Sequence, residues 1–220
     1  MRASRFEAVL AEARRMLAAF GVTQPEQIDL DAMAAMMNAE ILYDDLDGAT
    51  ARVMRIGQHA RIRISNRVRD IGARRFSIAH ELGHLWLGHE IPDGDADRIV
   101  ERICTPLNAN HRAPERDANV FAAEIVMPEA LVEPRCTVSH VTLAPARAIA
   151  REFKTSVLAS AMRFVELSKE RCAVAYSELG RVRWLKPSAT FPDWVPRGRR
   201  LDPASAASDY FHKGRIDVAP

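Results

Sequence analysis

The stretch RRFSIAHELGHLWLGHE, residues 74–90, constrains the fold most, because it places two histidines four residues apart within an apolar run. Residues four apart lie on the same face of a helix, so His80 and His84 can direct two imidazole nitrogens at one point. Polar groups buried among apolar neighbours need partners, since leaving them unpaired is costly. A bound metal ion supplies such a partner. The pattern therefore predicts a buried, metal-binding helix over residues 69–87.

Glu81 follows the first histidine and projects about 100° around the helix from it. At that angle its carboxylate would lie beside an attacking water molecule instead of binding the ion. A general base is needed there to take a proton from the water and pass it to the leaving amine. The motif therefore predicts a zinc-dependent peptidase, and an ordinary helix without metal is the alternative.

Catalytic zinc usually takes three protein ligands, so a third ligand must lie elsewhere. In the extended pattern a third histidine comes six residues after the second, but that position is Glu90 and His89 is one place early. A carboxylate on a second helix is the better candidate. Within PERDANVFAAEIVMP, Glu115 can complete a His-His-Glu site. Asn119, one turn further on, can hydrogen-bond a ligand imidazole and fix its tautomer.

Two other acidic residues of the second helix are rivals for the third ligand position. Asp117 projects roughly 200° away from Glu115, towards solvent or Arg116. Glu124 lies more than two turns further along the helix, too far to meet the same point. Small residues on this helix favour close packing against the first: Ala118, Ala122 and Ala123.

The order of patterns along the chain predicts an α+β fold. Two amphipathic helical segments come first, and the period then changes in ILYDD, ATARVMRI and ARIRISN. These three segments predict a small antiparallel sheet, with ARIRIS as a half-exposed or edge strand. The expected architecture is a mostly helical core with this sheet, followed by a helix-turn-helix-like segment and a β-hairpin.

We expect three regions, at residues 1–135, 136–171 and 172–220. The first holds the metal-binding core. The second contains VTLAPARAIAREFKTSVLASAMRFVELS, two apolar-striped helices joined by FKTS, where Thr155 or Ser156 can cap the second helix. In the third, CAVAYSELGRVRWLK predicts the hairpin. The remainder is rich in Pro, Ser and Arg and predicts a loosely packed tail or docking arm.

The composition argues against several classes of function and location. With 31 basic and 29 acidic residues, the chain gives no bulk reason to expect nucleic acid or an acidic membrane surface as a partner. The three cysteines, Cys104, Cys136 and Cys172, form no CxxC pair and predict reduced thiols. The N-terminal MRASRFEAVLAEARR lacks the apolar run of a signal peptide, and no stretch is long enough to span a bilayer. A cytoplasmic protein is expected.

The two metal-site segments together resemble the ImmA/IrrE metallopeptidase family. The family pattern is an HExxH helix, often AHELGH, followed by ExxxN-x-FA and ending in MP. Here these elements are the residues Ala79–His84, Glu115, Asn119, Phe121, Ala122, Met127 and Pro128. The resemblance covers roughly residues 5–186 and includes the helix-turn-helix-like segment. It implies a zincin-like, gluzincin-like peptidase that binds zinc, with manganese as the alternative metal.

The resemblance implies a regulator and not a digestive protease. Family members typically cleave a helix-turn-helix repressor, often encoded next door, and so relieve repression in stress, mobile-element or phage-related responses. One alternative is the toxin of a toxin–antitoxin pair, bound by an antitoxin-like partner. Another is a regulator that binds DNA through residues 141–167 and has a non-catalytic metal site. Scattered basic residues and the small net charge argue against DNA.

Further residues are candidates for accessory roles. His89 falls at a helix end, where a histidine commonly interacts with the last carbonyls. His111, His140 and Tyr176 are candidates for stabilising an oxyanion, although none matches a family residue. The strand ARIRIS is a candidate template for an extended substrate, added as a further strand along Arg61, Ile62, Arg63 and Ile64. A solvated strand face is the alternative for these residues.

Overall fold

The computed structural model of the chain describes residues 4–46, 49–91, 113–193 and 195–213. Within these ranges the fold is α+β, as predicted. The helices are α1 (Arg5–Ala19), α2 (Leu30–Met36), α3 (Ile71–Trp86), α4 (Ala113–Val126), α5 (Glu129–Val132), α6 (Ala144–Phe153), α7 (Val157–Leu167) and α8 (Ala206–Lys213). The strands are β1 (Ala39–Asp44), β2 (Ala51–Ile56), β3 (His59–Ser65), β4 (Ala173–Glu178) and β5 (Arg181–Pro187).

Side-chain caps fix where the principal helices begin. Ser4 accepts a hydrogen bond from the backbone N–H of Glu7 at the start of α1. Asp70 does the same for α3, and Ser156 for α7, each accepting from the backbone N–H three residues on. Each cap satisfies one of the amide groups that lack a partner in the first turn. The metal-site helix α3 therefore begins at a fixed residue.

The first sheet is mixed, so the prediction of a wholly antiparallel sheet is wrong in this detail. Its strand order is β1-β3-β2, with β2 antiparallel and β1 parallel to β3. A tight turn at Gly57, whose φ is 61°, joins β2 to β3 as a hairpin. The hairpin leaves the other edge of β3 open for β1. Alternating burial looks alike beside parallel and antiparallel neighbours, so the sequence pattern could not give the order.

β3 alternates exposed and buried residues, as predicted for a half-exposed strand. It is the central strand, so the predictions of an edge strand and of a substrate template are wrong. Ile62 and Ile64 are fully buried on one face. On the other face Arg61 pairs with Glu40 and Arg63 with Asp44, both on the neighbouring strand β1. The backbone of residues 61–64 is already bonded to strands on both sides. A substrate strand therefore has no free edge along β3.

The helix-turn-helix-like segment packs directly on the metal-site helix. A Cβ added to Gly72, in the first turn of α3, would lie less than 3.0 Å from the backbone of Thr155 and Ser156. These two residues form the turn between α6 and α7. Because Gly72 has no side chain, the backbone of this turn can lie directly against α3. The predicted helix–turn–helix order is present, and its turn is covered by the core.

Part of the C-terminal region is attached to the hairpin β4–β5. Val182 on β5 donates to the carbonyl of Arg199 and accepts from the N–H of Gly198. Leu201 donates to the carbonyl of Gly180 at the tip of the hairpin. Residues 198–201 are therefore attached to the hairpin, through these bonds and an antiparallel bridge between Arg181 and Arg200, instead of forming a loose tail.

Two predictions about cysteines and membranes can be compared with the described residues. Cys136 and Cys172 are buried and free, whereas Cys104 lies outside the described residues. In the described ranges, none of the helices combines the length and the apolar character that crossing a membrane requires.

Candidate metal centre

Three side chains from two helices converge on one buried point. His80 and His84 lie on α3, and Glu115 lies in the first turn of α4. The two Nε2 atoms are 3.0 Å apart. The Glu115 carboxylate lies 3.2 Å from Nε2 of His80 and 3.6 Å from Nε2 of His84. Both histidine side chains are at most 1% exposed, whereas that of Glu115 is 21% exposed. The site is therefore enclosed by protein around the two histidines and open to solvent on the side of Glu115.

Close packing of α3 against α4 brings these groups together. A Cβ added to Gly83 would lie 3.1 Å from the side chain of Phe121 and 3.2 Å from Cα of Ala118. An added Cβ at position 83 would require these neighbours to shift by a few tenths of an ångström. Phe121 and Ala118 are fully buried in this contact. The glycine between the two histidines and the small residue on α4 thus set the distance from the histidines to Glu115.

Asn119 fixes the tautomer of His80. Its Oδ1 lies 3.0 Å from Nδ1 of His80, and an amide oxygen can only accept, so Nδ1 carries the proton. The lone pair of neutral His80 is then on Nε2, which faces His84 and Glu115. Two nitrogen lone pairs 3.0 Å apart repel each other, so a proton or a cation must lie between them. The nearby carboxylate adds a third electron-rich group at the same point.

The three donor groups fit a tetrahedral zinc ion. Zinc bonds of about 2.0–2.1 Å to nitrogen and oxygen in tetrahedral geometry separate the ligand atoms by about 3.3 Å. The observed separations of 3.0, 3.2 and 3.6 Å bracket that value. Two neutral imidazoles and a carboxylate are also a donor set that zinc prefers in catalytic sites. His80, His84 and Glu115 could therefore hold a divalent metal ion.

The electrostatics of the site favour an ionised Glu115. Burial raises the pKa of this carboxyl, but its hydrogen bonds and charge interactions with His80 and His84 outweigh that effect. The net result holds the pKa of Glu115 far below its usual range. Glu115 is therefore a carboxylate across the physiological pH range, the form in which it binds a metal ion.

Glu81 lies next to His80 on α3, and its side chain is fully buried. Glu81 is not one of the three groups whose ligand atoms converge. Its role as general base stays a prediction.

The structure separates the two rivals of Glu115. Glu124 is 1% exposed and pairs with Arg14 of α1 and Arg163 of α7, well away from the three ligands along α4. The prediction that Asp117 faces solvent or Arg116 is wrong. Instead it accepts from Arg5 of α1 and is only 14% exposed.

His89, a candidate for an accessory role, contacts the ligand His84, a partner that the sequence reasoning did not name. Its Nδ1 lies 2.9 Å from Nδ1 of His84, and its Nε2 lies 3.9 Å from Oδ2 of Asp117. At the helix end, the backbone N–H of His89 also donates to the carbonyl of His84. The nearby Gly88 was the available signal, because a left-handed glycine after a helix turns the chain back.

The other accessory candidates lie elsewhere or outside the described residues. His140 is exposed and hydrogen-bonds to Ser139. Tyr176 lies on β4 and stacks on Trp184 of β5, and no described contact joins it to the three ligands. His111 lies outside the described residues.

Comparison with known proteins identifies one match. The peptidase family described as the IrrE N-terminal-like domain, Peptidase_M78, matches residues 33–165, which is more than half of the chain and includes both metal-site helices. Among curated proteins, none matches the chain.

Proposed function

The chain belongs to the IrrE N-terminal-like domain family of peptidases, and from this premise we propose that it is a zinc-dependent endopeptidase acting on a regulatory protein. A metallopeptidase-type function follows from the family. The preferred substrate is a helix-turn-helix repressor, whose cleavage relieves repression. The observation that carries the proposal is the convergence of His80, His84 and Glu115 on one point. The fully buried Glu81 follows His80 in the chain.

In the proposed mechanism the chain's own residues hold the ion, orient its ligands and move a proton. His80, His84 and Glu115 would hold the ion, and Asn119 would keep the Nε2 lone pair of His80 directed at it. When bound, zinc acts as a Lewis acid that polarises the scissile carbonyl and makes water more acidic. The Glu81 carboxylate takes a proton from the attacking water and delivers it to the leaving amine nitrogen. The buried walls exclude bulk water and so strengthen each of these interactions.

The alternative of DNA binding through residues 141–167 has less support. Helix α7 would have to present basic side chains to the phosphates. Its one basic residue, Arg163, is 5% exposed and pairs with Glu124 and Glu166. The other basic residues of the segment, Arg147, Arg151 and Lys154, are exposed on and beside α6. A docked α7 fits a role in protein contact better than insertion into a DNA groove.

The test is to incubate the full chain with Zn²⁺ and the helix-turn-helix protein encoded beside it. We expect cleavage at one peptide bond, visible by mass spectrometry. Glu81→Gln should abolish cleavage while keeping wild-type zinc content, because the amide cannot accept the proton from water. The exposed Glu26→Gln is the matched control and should cleave like the wild type.

Different results separate the alternatives. Equal cleavage by Glu81→Gln would refute the assigned base. Stable complex formation with the neighbouring protein, without cleavage of it, would favour the toxin–antitoxin alternative. Nanomolar DNA binding with steep salt dependence would favour a DNA-binding regulator.

A further inference from the structure

The end of α3 is shaped so that the chain returns to the ligand His84. The helix is followed by Gly88, whose φ of 65° is left-handed and carries no steric cost for glycine. Gly88 donates to the carbonyl of Leu85, and the backbone N–H of His89 donates to the carbonyl of His84 at 3.0 Å. This pair of bonds defines a Schellman motif, which brings the residue after the glycine against the third-last helical residue. His89 and His84 occupy those two positions.

The two side chains meet through the nitrogens that face away from the metal centre. Nδ1 of His89 is 2.9 Å from Nδ1 of His84, while Nε2 of His84 faces His80 and Glu115. If Nε2 of neutral His84 binds an ion, its proton must lie on Nδ1 and is donated to Nδ1 of His89. The His89 side chain is only 10% exposed, so little water competes for this bond. His89 thus has the same relation to His84 as Asn119 has to His80.

Asp117 faces the opposite nitrogen of His89. Its Oδ2 is 3.9 Å from Nε2 of His89, too far for a direct hydrogen bond but close enough to favour a proton on that nitrogen. Arg5 of α1 holds the same carboxylate, donating from its Nε to Oδ2 at 2.7 Å. A proton on Nε2 leaves Nδ1 of neutral His89 as an acceptor. The contact therefore selects the tautomer of His89 that His84 requires.

We propose that His89 is a positioning residue that orients His84 for metal binding, with Asp117 selecting the tautomer of His89. The inference rests on the proposed metal centre and extends it to the second histidine ligand. Each imidazole ligand then has one partly buried acceptor on its outer nitrogen, Asn119 for His80 and His89 for His84. Loss of such a partner typically lowers metal affinity by about 10- to 100-fold.

The test measures the Zn²⁺ affinity of full-length variants by competition with a chromophoric chelator. His89→Leu removes the acceptor, whereas His89→Asn keeps an oxygen near the position of Nδ1. We expect the leucine variant to bind zinc about 10- to 100-fold more weakly and the asparagine variant to recover most of that loss. Asp117→Ala should lie between the wild type and His89→Leu. His59→Leu, which removes an exposed histidine of β3, is the matched control and should bind like the wild type.

The visible absorption spectrum of the Co²⁺-loaded proteins gives a second readout, because it responds to the orientation of the ligands. We expect an altered spectrum in His89→Leu and a spectrum near that of the wild type in His89→Asn. Equal zinc affinity in the wild type and His89→Leu would overturn the positioning role and leave the peptidase proposal standing. Equal losses in both His89 variants with unchanged Co²⁺ spectra would assign His89 to packing and also overturn it. Failure of the wild type to bind zinc would overturn the metal centre and this inference together.

Discussion

Replacement of Arg163 by methionine tests how firmly α7 is attached to α4, the helix that carries Glu115. The guanidinium of Arg163 makes three contacts: with Glu124 on α4, with the carbonyl of Met127, at 3.1 Å from Nε, and with Glu166, at 2.8 Å from Nη1. Arg163 is 5% exposed and Glu124 is 1% exposed, so this is a buried ion pair. Methionine fills a similar volume but leaves the Glu124 carboxylate without its most buried cation.

The cost can be worked out from what remains around Glu124. Removing one partner of a buried pair typically costs about 3–5 kcal/mol, because the other charge stays buried. Glu124 keeps Arg14, whose side chain is 48% exposed and whose Nε lies 3.2 Å away, and it also accepts from the N–H of Glu129. These contacts reduce the penalty, while the lost bond to the Met127 carbonyl adds about 1 kcal/mol. We therefore expect Arg163→Met to lower the free energy of unfolding by about 3 kcal/mol.

The assay is urea unfolding followed by circular dichroism at one fixed zinc concentration. Arg14→Met is the matched control, since it removes a half-exposed cation from the same carboxylate and should cost less than about 1 kcal/mol. The double variant should lose more than the sum of the single losses, because Glu124 then keeps neither cation. A loss below about 1 kcal/mol in Arg163→Met would refute the reasoning and show that this pair does not hold α7 on the core.

Two further predictions concern close packing and thiol chemistry. Gly72→Ala should lower the thermal midpoint, because its Cβ would overlap the backbone of Thr155 and Ser156, and overpacking of this kind costs about 1–3 kcal/mol; a midpoint at or above that of the wild type would contradict the close contact. Burial raises the pKa of the Cys136 thiol to about 11, and Cys172 is also buried. In a folded Cys104→Ser variant, neither thiol should therefore react with a thiol reagent at pH 8. Both should react after unfolding. Rapid modification of the folded protein would show that this part of the core opens readily.

The metal site was largely predictable because its spacing is local. His80 and His84 share a helix face by their separation alone, and the same holds for Glu115 and Asn119. Helix geometry favoured Glu115 over Asp117 and Glu124, but the residues could not show how α4 packs on α3, since that depends on two helices distant in sequence. The structure resolves the choice through the contact of Gly83 with Ala118 and Phe121. Glu124, the rival two turns further on, is used to bind α1 and α7 instead.

The sheet shows the opposite limit. Burial of Ile62 and Ile64 follows from the alternation of ARIRIS, but the same alternation suits an edge strand and a central strand. The neighbours of β3 depend on where β1 and the hairpin partner β2 lie, which is a property of the whole fold. Cross-strand ion pairs satisfy the two arginines of β3, so their charge was no sign of an edge or of a substrate site.

His89 shows why a residue can fail as a ligand and still belong to the site. A third ligand must aim at the same point as Nε2 of His84, whereas a hydrogen-bond partner must face the opposite nitrogen of that ring. The two roles require different spacings, so the spacing that excludes His89 as a ligand does not exclude it from an accessory role. The spacing of His84, Gly88 and His89 is that of a Schellman motif, which places the last of them against the first. The same distinction applies to Asp117. It projects from a different side of α4 than the ligand Glu115, and that side faces His89.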